Sequence, residues 1–190
     1  RHFLADVQRC FFVVGRNDRR RRNDIRVGVA LNRGQDGGEV SLNAADHWIV
    51  SLLQQTEQEV IRSIDSYRFD LAAQAIYTFI WDEYCDWYLE LSKPVLTNPD
   101  SPIEELRGTR QTLVTVMETV LRLVHPMTPF ISEEIWQRMA PLAGIQGKTI
   151  MRQPYPAPDN DRIDPAALAE IAWVKDFIAG VRKIRSGMNI

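Results

Sequence analysis

The chain has 190 residues, of which 45% are hydrophobic and 25% charged, enough apolar material for one domain with a sizeable core. No uninterrupted apolar run approaches the length of a membrane-spanning helix, and the opening RHFLADVQRC does not resemble a signal peptide, so we expect a cytoplasmic protein. The net charge of −2 conceals a segregation, because residues 1–33 contain nine Arg and only three Asp while the rest is acidic. A basic end on an acidic body suggests a polyanionic partner.

The first forty residues are predicted to form a basic, loop-rich segment, 1–40, ahead of a helical domain, 41–190. Within the segment, FLADVQRCFFVV fits either of two structures. A short helix is possible because Phe3, Val7, Phe11 and Val14 share one helical face. A strand is possible because Phe and Val favour extended backbone.

Residues 15–38 have the Gly, Asn, Asp and Arg content of a connector. The arginine run within it allows two interpretations. It is either a solvated loop or a loop that contacts phosphate groups, which the planar guanidinium pairs with through two hydrogen bonds.

Apolar residues recur at spacings of three, four and seven beyond residue 41, which is the period of helices with one buried face. The predicted fold class is therefore all-α, an antiparallel bundle of four or five helices preceded by the irregular basic segment. The predicted helices run from Ser41 or Asn43 to about Ser66, over 68–94, from Ser101 to His125, from Thr128 to Gly144, and from Asp164 to Ser186.

Several helix ends carry specific signals. Asp70 is a predicted N-cap of the central helix, and Pro94 is predicted to stop that helix because proline lacks an N–H donor. Ser101, Pro102 and Glu104 together form the pattern of a capping box. In the last helix we expect a continuous inner face of Ile171, Val174, Ile178, Val181 and Ile184.

The residues favour neither a catalytic site nor a metal site. Helical bundles hold metals with Glu-x-x-His pairs, but the only candidate imidazole is His125, and position 122 is Arg. We expect His125 to cap its helix by bonding carbonyl groups. The stretch GQDGG is not the phosphate-binding pattern GxxxxGK[ST]. Catalytic residues, metal ligands and cofactors of this chain are accordingly predicted to be none.

Two kinds of motif raise a resemblance. The block HPMTPFISEEIW, 125–136, resembles the anticodon-binding helical domain of class I aminoacyl-tRNA synthetases, in the group specific for valine, leucine and isoleucine. The blocks CDWYLELSKP, 85–94, and VRKIRSGMNI, 181–190, resemble the valyl-tRNA synthetases in particular. The resemblance extends nearly continuously from Ser41 to Ile190.

This resemblance implies a partner and a parent enzyme. The partner is tRNA(Val), bound at its anticodon region, and the parent ligates valine to that tRNA with ATP and Mg²⁺. The chain lacks the HIGH and KMSKS motifs of the class, so we do not expect it to catalyse alone. The catalytic, editing and C-terminal arm regions would belong to the remainder of the synthetase.

The opening helix of the family, of the type RNFxNKLWNAxRF, matches here only at Arg1 and Phe3. The replacement sequence is basic, which preserves attraction to phosphate, while Phe3, Phe11 and Phe12 either stack on RNA bases or dock the segment on the bundle. The predicted tRNA-binding residues of this segment are Arg1, Phe3, Arg9, Arg16, Arg19, Arg20, Arg21 and Arg22.

Four predicted tRNA-binding residues lie in the helical part. Arg107 and Arg110 share a helix face and contact either the tRNA backbone or nearby acidic residues. Lys183 and Arg185 lie near the end of the chain, where the family turns toward the tRNA stem.

Two further hypotheses remain beside the RNA-binding module. The chain could be a synthetase-derived scaffold that binds proteins and no longer reads RNA, which the altered opening and acidic body favour. It could also be an autonomous metal- or carboxylate-dependent enzyme on a bundle. Steep salt dependence would identify RNA binding, because phosphate contacts release counterions.

Overall fold

The computed structural model describes residues 38–188, and this part of the chain contains five helices, two short 3₁₀ turns and no strand. The helices are α1, Ala44–Asp65; α2, 69–97; α3, Ile103–Val124; α4, Pro129–Met139; and α5, Pro165–Met188. The predicted all-helical class is therefore confirmed. The basic segment predicted over 1–40 lies almost wholly outside the described residues.

Helix α1 begins where the sequence predicts. Asn43 is its N-cap, and its side chain accepts a hydrogen bond from the Asp46 backbone N–H at 2.9 Å. The Asp46 carboxylate accepts in return from the Asn43 backbone N–H at 3.2 Å. This reciprocal capping box satisfies two backbone donors that the first turn of a helix leaves without partners.

Helix α2 is longer than predicted, and both of its predicted end signals are wrong. Asp70 is no cap, because its carboxylate pairs with the Arg68 guanidinium at 2.8 Å. Pro94 lies inside the final stretch, Leu89–Thr97, and the chain leaves the helix only at Asn98, whose N–H donates to the Pro94 carbonyl. Proline removes one intrahelical donor, and this single lost bond does not end the helix here, since the chain keeps its helical course to Thr97.

The middle of α2, Phe79–Tyr88, is a π-helix flanked by α-helical Phe69–Thr78 and Leu89–Thr97. The Leu89 N–H donates to the Tyr84 carbonyl, five residues back, which is the π pattern. The wider turn carries Tyr84 and Tyr88 into the core, where they are 2% and 0% exposed. Trp87, one position before Tyr88, is partly buried against the same core.

Helix α3 starts at Ile103, one residue later than predicted. The capping box at Ser101 does not form, because Pro102 occupies the cap position and the Ser101 hydroxyl donates to the Val95 carbonyl at 2.8 Å. Gly108 is required by close packing, since a Cβ atom there would collide with the Ser41 carbonyl. The apolar residues that recur at helical spacing along α3 form its buried face. Its buried members are Leu113, Val116, Met117, Val120, Leu121 and Val124.

Helix α4 ends at Met139, five residues before the predicted stop. Gly144 adopts a φ of 72°, a left-handed conformation that suits glycine, in the turn that follows. Phe130 is 91% exposed, whereas Trp136 is completely buried. Beyond this turn, Ile150–Arg152 forms a 3₁₀ turn.

Helix α5 begins as predicted and then departs from its expected face. The Asp164 carboxylate accepts hydrogen bonds from the backbone N–H groups of Ala166 and Ala167, at 2.9 and 3.1 Å. Ile171 is buried, but Val181 and Ile184 are 41% and 62% exposed. The predicted inner face is therefore wrong for the second half of α5.

Candidate tRNA-binding surface

Most of the predicted tRNA-binding residues lie outside the described residues, so their roles remain predictions. They are Arg1, Phe3, Arg9, Arg16, Arg19, Arg20, Arg21 and Arg22.

Arg107 and Arg110 lie in the first half of α3, and both are partly buried. The Arg107 guanidinium packs against the backbone at Gly38, where it occupies the space that a Cβ atom would need. Its Nε is buried and has no hydrogen-bond partner within residues 38–188. The structure therefore partly encloses the guanidinium of Arg107 beside Gly38.

Lys183 and Arg185 are in the last two turns of α5, and every residue from 179 to 188 is exposed. Exposed cations at the end of a helix reach phosphate oxygens without losing a partner in the core. Among the four predicted contacts within residues 38–188, these two are more accessible than Arg107 and Arg110.

The sequence analysis missed two further cations on α5, which enclose a tryptophan. The Lys175 Nζ lies 5.3 Å from the centroid of the Trp87 ring, and the Arg182 Cζ lies 5.6 Å from the same centroid. Lys175 also donates to the Glu83 carboxylate at 2.6 Å. The two cations are seven residues apart, which places them on one face of the helix. This spacing is the feature of the sequence that could have predicted their shared position.

A buried polar cluster joins the starts of α1 and α3 to the π-helical part of α2. The Asp46 carboxylate accepts from the Tyr88 hydroxyl at 2.6 Å and from the Thr109 hydroxyl at 3.0 Å. Burial raises the pKa of Asp46 above its ordinary value, while the hydrogen bonds from Tyr88, Asn43 and Thr109 oppose that rise. Since Asp46 and Tyr88 are both 0% exposed, the cluster fixes helix positions and cannot touch RNA directly.

The described residues hold no group of three or more His, Cys, Asp or Glu side chains placed to bind a metal ion. The imidazole of His125 is hydrogen-bonded through Nδ1 to the Ser132 hydroxyl at 2.7 Å, so the predicted contact with carbonyl groups is replaced by a bond to α4. Among the same residues no helix is long and apolar enough to cross a lipid bilayer.

A family model described as the anticodon-binding domain of tRNA ligase matches residues 46–190, which cover all of α2 to α5 and most of α1. The chain belongs to this family of anticodon-binding domains. Its partner class is therefore tRNA, and its parent class is the aminoacyl-tRNA synthetases. The exposed basic end of α5 agrees with an RNA partner, because tRNA presents a dense array of phosphates.

Proposed function

We propose that the chain is the part of a valine-specific tRNA ligase that binds the anticodon region of tRNA(Val). The proposal rests on the contact between the two stretches that resemble the valyl enzymes, 85–94 and 181–190. Trp87 of the first stretch lies under Arg182 of the second, 5.6 Å from ring centroid to Cζ. The two stretches therefore meet at this contact in the folded molecule, so the residues that carry their joint resemblance include a pair of neighbours.

In this proposal, residues 41–190 are the anticodon-binding unit and residues 1–40 are a basic extension of it. ATP and Mg²⁺ act in the catalytic region of the parent enzyme, and an editing region and a C-terminal arm complete that enzyme. This chain itself contributes RNA binding, in the cytoplasm, and holds no cofactor.

Electrostatics supply the first step of binding. Lys183 and Arg185 approach the phosphate backbone, and the arginines of residues 1–33 extend the positive region. Phosphate contacts set the position of the RNA but carry no sequence information. Recognition of the anticodon therefore requires bases that stack on side chains or bond to them, for which Phe12 and the neighbouring arginines are the proposed residues.

The test is binding of the full chain to a tRNA(Val) transcript, to an anticodon-swapped version, and to tRNA(Ile) and tRNA(Leu), at about 50 mM and about 200 mM salt. We expect binding that prefers tRNA(Val), weakens with the anticodon swap and falls steeply with salt. Equal binding to all four RNAs would overturn the valine assignment. Absence of binding would favour a protein-interaction scaffold.

Charge reversal identifies the contacts. We expect Lys183→Glu with Arg185→Glu to weaken tRNA binding about tenfold and to reduce the salt slope by about one for each lost phosphate contact. The matched control is Arg62→Glu with Arg138→Glu, two exposed arginines near other helix ends that pair with glutamates of their own helices. Equal losses in both double variants would mean that only net charge matters.

A further inference from the structure

The second half of α5 exposes a continuous apolar stripe. Its members follow one another at intervals of four, four, three and four residues, which is one helical face. They are Trp173, Phe177, Val181, Ile184 and Met188, with exposures of 68%, 60%, 41%, 62% and 64%. The Trp173 and Phe177 rings stack with centroids 5.7 Å apart and planes inclined by 15°.

This stripe borders the face that α5 already buries. Ile171 is buried and Ile178 is partly buried, and both lie beside the stripe on the helix surface. Helix α5 is therefore apolar over a wider arc than its contact with α1 covers. An exposed apolar patch of this extent marks an interaction site, and its continuity with a packed face indicates a further element of the same bundle.

We propose that residues 3–14 of this chain cover the stripe, as a helix that packs along the second half of α5. The apolar residues of that segment, Phe3, Val7, Phe11 and Val14, are spaced by four, four and three. The first four members of the stripe, beginning at Trp173, have the same spacing. Two helices whose apolar side chains have the same spacing over the same length can interdigitate those side chains along the whole contact.

The connecting chain is long enough. The described chain starts at Gly38, ten residues before Trp48, and the Trp48 ring centroid lies 5.3 Å from Lys175 Nζ on α5. The 23 residues from 15 to 37 span about 24 to 29 Å as a flexible coil and at most about 80 Å when extended. Either value allows residues 3–14 to reach α5 from the start of α1.

Docking has a consequence for charge. The arginine run begins at Arg19, five residues after Val14, and five residues span at most about 17 Å. The docked segment therefore holds the run near α5, which carries Lys183 and Arg185. The docking itself involves no RNA, so it stands or falls separately from the proposed function.

The test is hydrogen exchange of the full chain without RNA, read from peptides that cover 173–188. The informative variants are Phe11→Asp and Val14→Asp, which share a face only if the segment is helical. The matched control is Phe12→Asp, which changes the adjacent phenylalanine on the opposite face. We expect exchange in 173–188 to be about tenfold faster in the first two variants and unchanged in the control.

A reciprocal change tests the same contact from α5. Phe177→Asp replaces a side chain that the bundle leaves exposed, so the core stays intact, and Ala179→Asp is the control on the exposed opposite side. We expect exchange of residues 3–14 to rise in Phe177→Asp alone.

Four outcomes would overturn the proposal. They are equal effects of Phe11→Asp and Phe12→Asp, an unprotected 173–188 in the unaltered chain, protection that appears only when tRNA is added, and protection that rises with protein concentration together with a dimeric mass. The last would assign the stripe to a second copy of the chain.

Discussion

Helices α3 and α5 are nearly equal in length, at 22 and 24 residues, and both carry apolar side chains at helical spacing. They differ sharply in burial. Helix α3 has thirteen buried residues distributed from Gly108 to Val124, whereas α5 has two, Ala167 and Ile171, both in its first two turns.

The cause of the difference is the number of neighbours. Helix α3 packs against α1, α2 and α4, while α5 packs chiefly against α1. Apolar residues at helical spacing indicate that a helix has an apolar face. The arrangement of the other helices decides how much of that face is buried. The second half of α5 thus has the sequence of a core helix and the exposure of a surface helix.

The largest expected difference between the two helices concerns truncation of one side chain in each. Leu123 of α3 is 0% exposed, so Leu123→Ala should lower the free energy of unfolding by about 3 kcal/mol through lost contacts and a residual cavity. Phe177 of α5 is 60% exposed in the described bundle, and a segment docked over it would cover only its outer side, so Phe177→Ala should cost only about 1 kcal/mol. Urea unfolding measures both. Equal costs would place Phe177 in a closed core and end the contrast.

The fold class and most of α1 and α3 could be predicted from the sequence, because simple amphipathic periods and the Asn43 cap are local signals. The π-helical part of α2 could not, since its wider turn depends on packing Tyr84 and Tyr88 against α1 and α3. The continuation of α2 past Pro94 was likewise missed, because proline was taken to stop the helix although it removes only one of its backbone donors.

The polar cluster at Asp46 allows a second test, at the region where three helices are tied together. Asp46→Ala leaves the buried Tyr88 and Thr109 hydroxyls without their acceptor, and we expect a loss of about 2 to 3 kcal/mol in unfolding free energy. Tyr88→Phe should cost less, because Asp46 keeps its other two partners. The control is Asp65→Ala, at the exposed end of α1, with an expected loss below about 0.5 kcal/mol. A similar loss in Asp46→Ala and Asp65→Ala would show that the cluster does not hold the helices.

A pH effect of intermediate size is expected from Glu57 in α1. Burial raises its pKa from 4.5 to about 7, against the attraction of Arg122 and Arg162, and its Oε2 has no hydrogen-bond partner in the described part of the chain. The folded state therefore holds this proton more tightly than the unfolded state. Stability from this group is full below about pH 4.5 and is lost as the pH rises through about 7.

Glu57→Gln should remove that slope. At pH 8 the variant should be more stable than the unaltered protein by up to about 3 kcal/mol, and near pH 5 the two should be similar. Urea unfolding across this range is the measurement, with Glu59→Gln as the control, since Glu59 is partly exposed and pairs with Arg62. An unchanged slope in Glu57→Gln would contradict a buried, protonated Glu57.

The candidate site was predictable only in part. Lys183 and Arg185 were predicted because the motif that contains them resembles the family, and their exposure leaves them accessible for that role. The position of Arg107 against Gly38 could not be foreseen, because it depends on where the chain enters α1. The enclosure of Trp87 by Lys175 and Arg182 depends on the crossing of α5 over α2, which no local pattern specifies.

The smallest effect is expected from the contact that attaches the second half of α5 to α2. Arg182→Ala removes a cation from the Trp87 face, and exposed contacts of this kind contribute about 0.5 to 1 kcal/mol. Lys183→Ala, one position away, should change thermal stability by less, since its side chain is exposed on another side of the helix. A loss of about 2 kcal/mol or more in Arg182→Ala would mean that the Trp87 face is desolvated. The second half of α5 would then be anchored to the bundle far more firmly than the exposure of its apolar stripe implies.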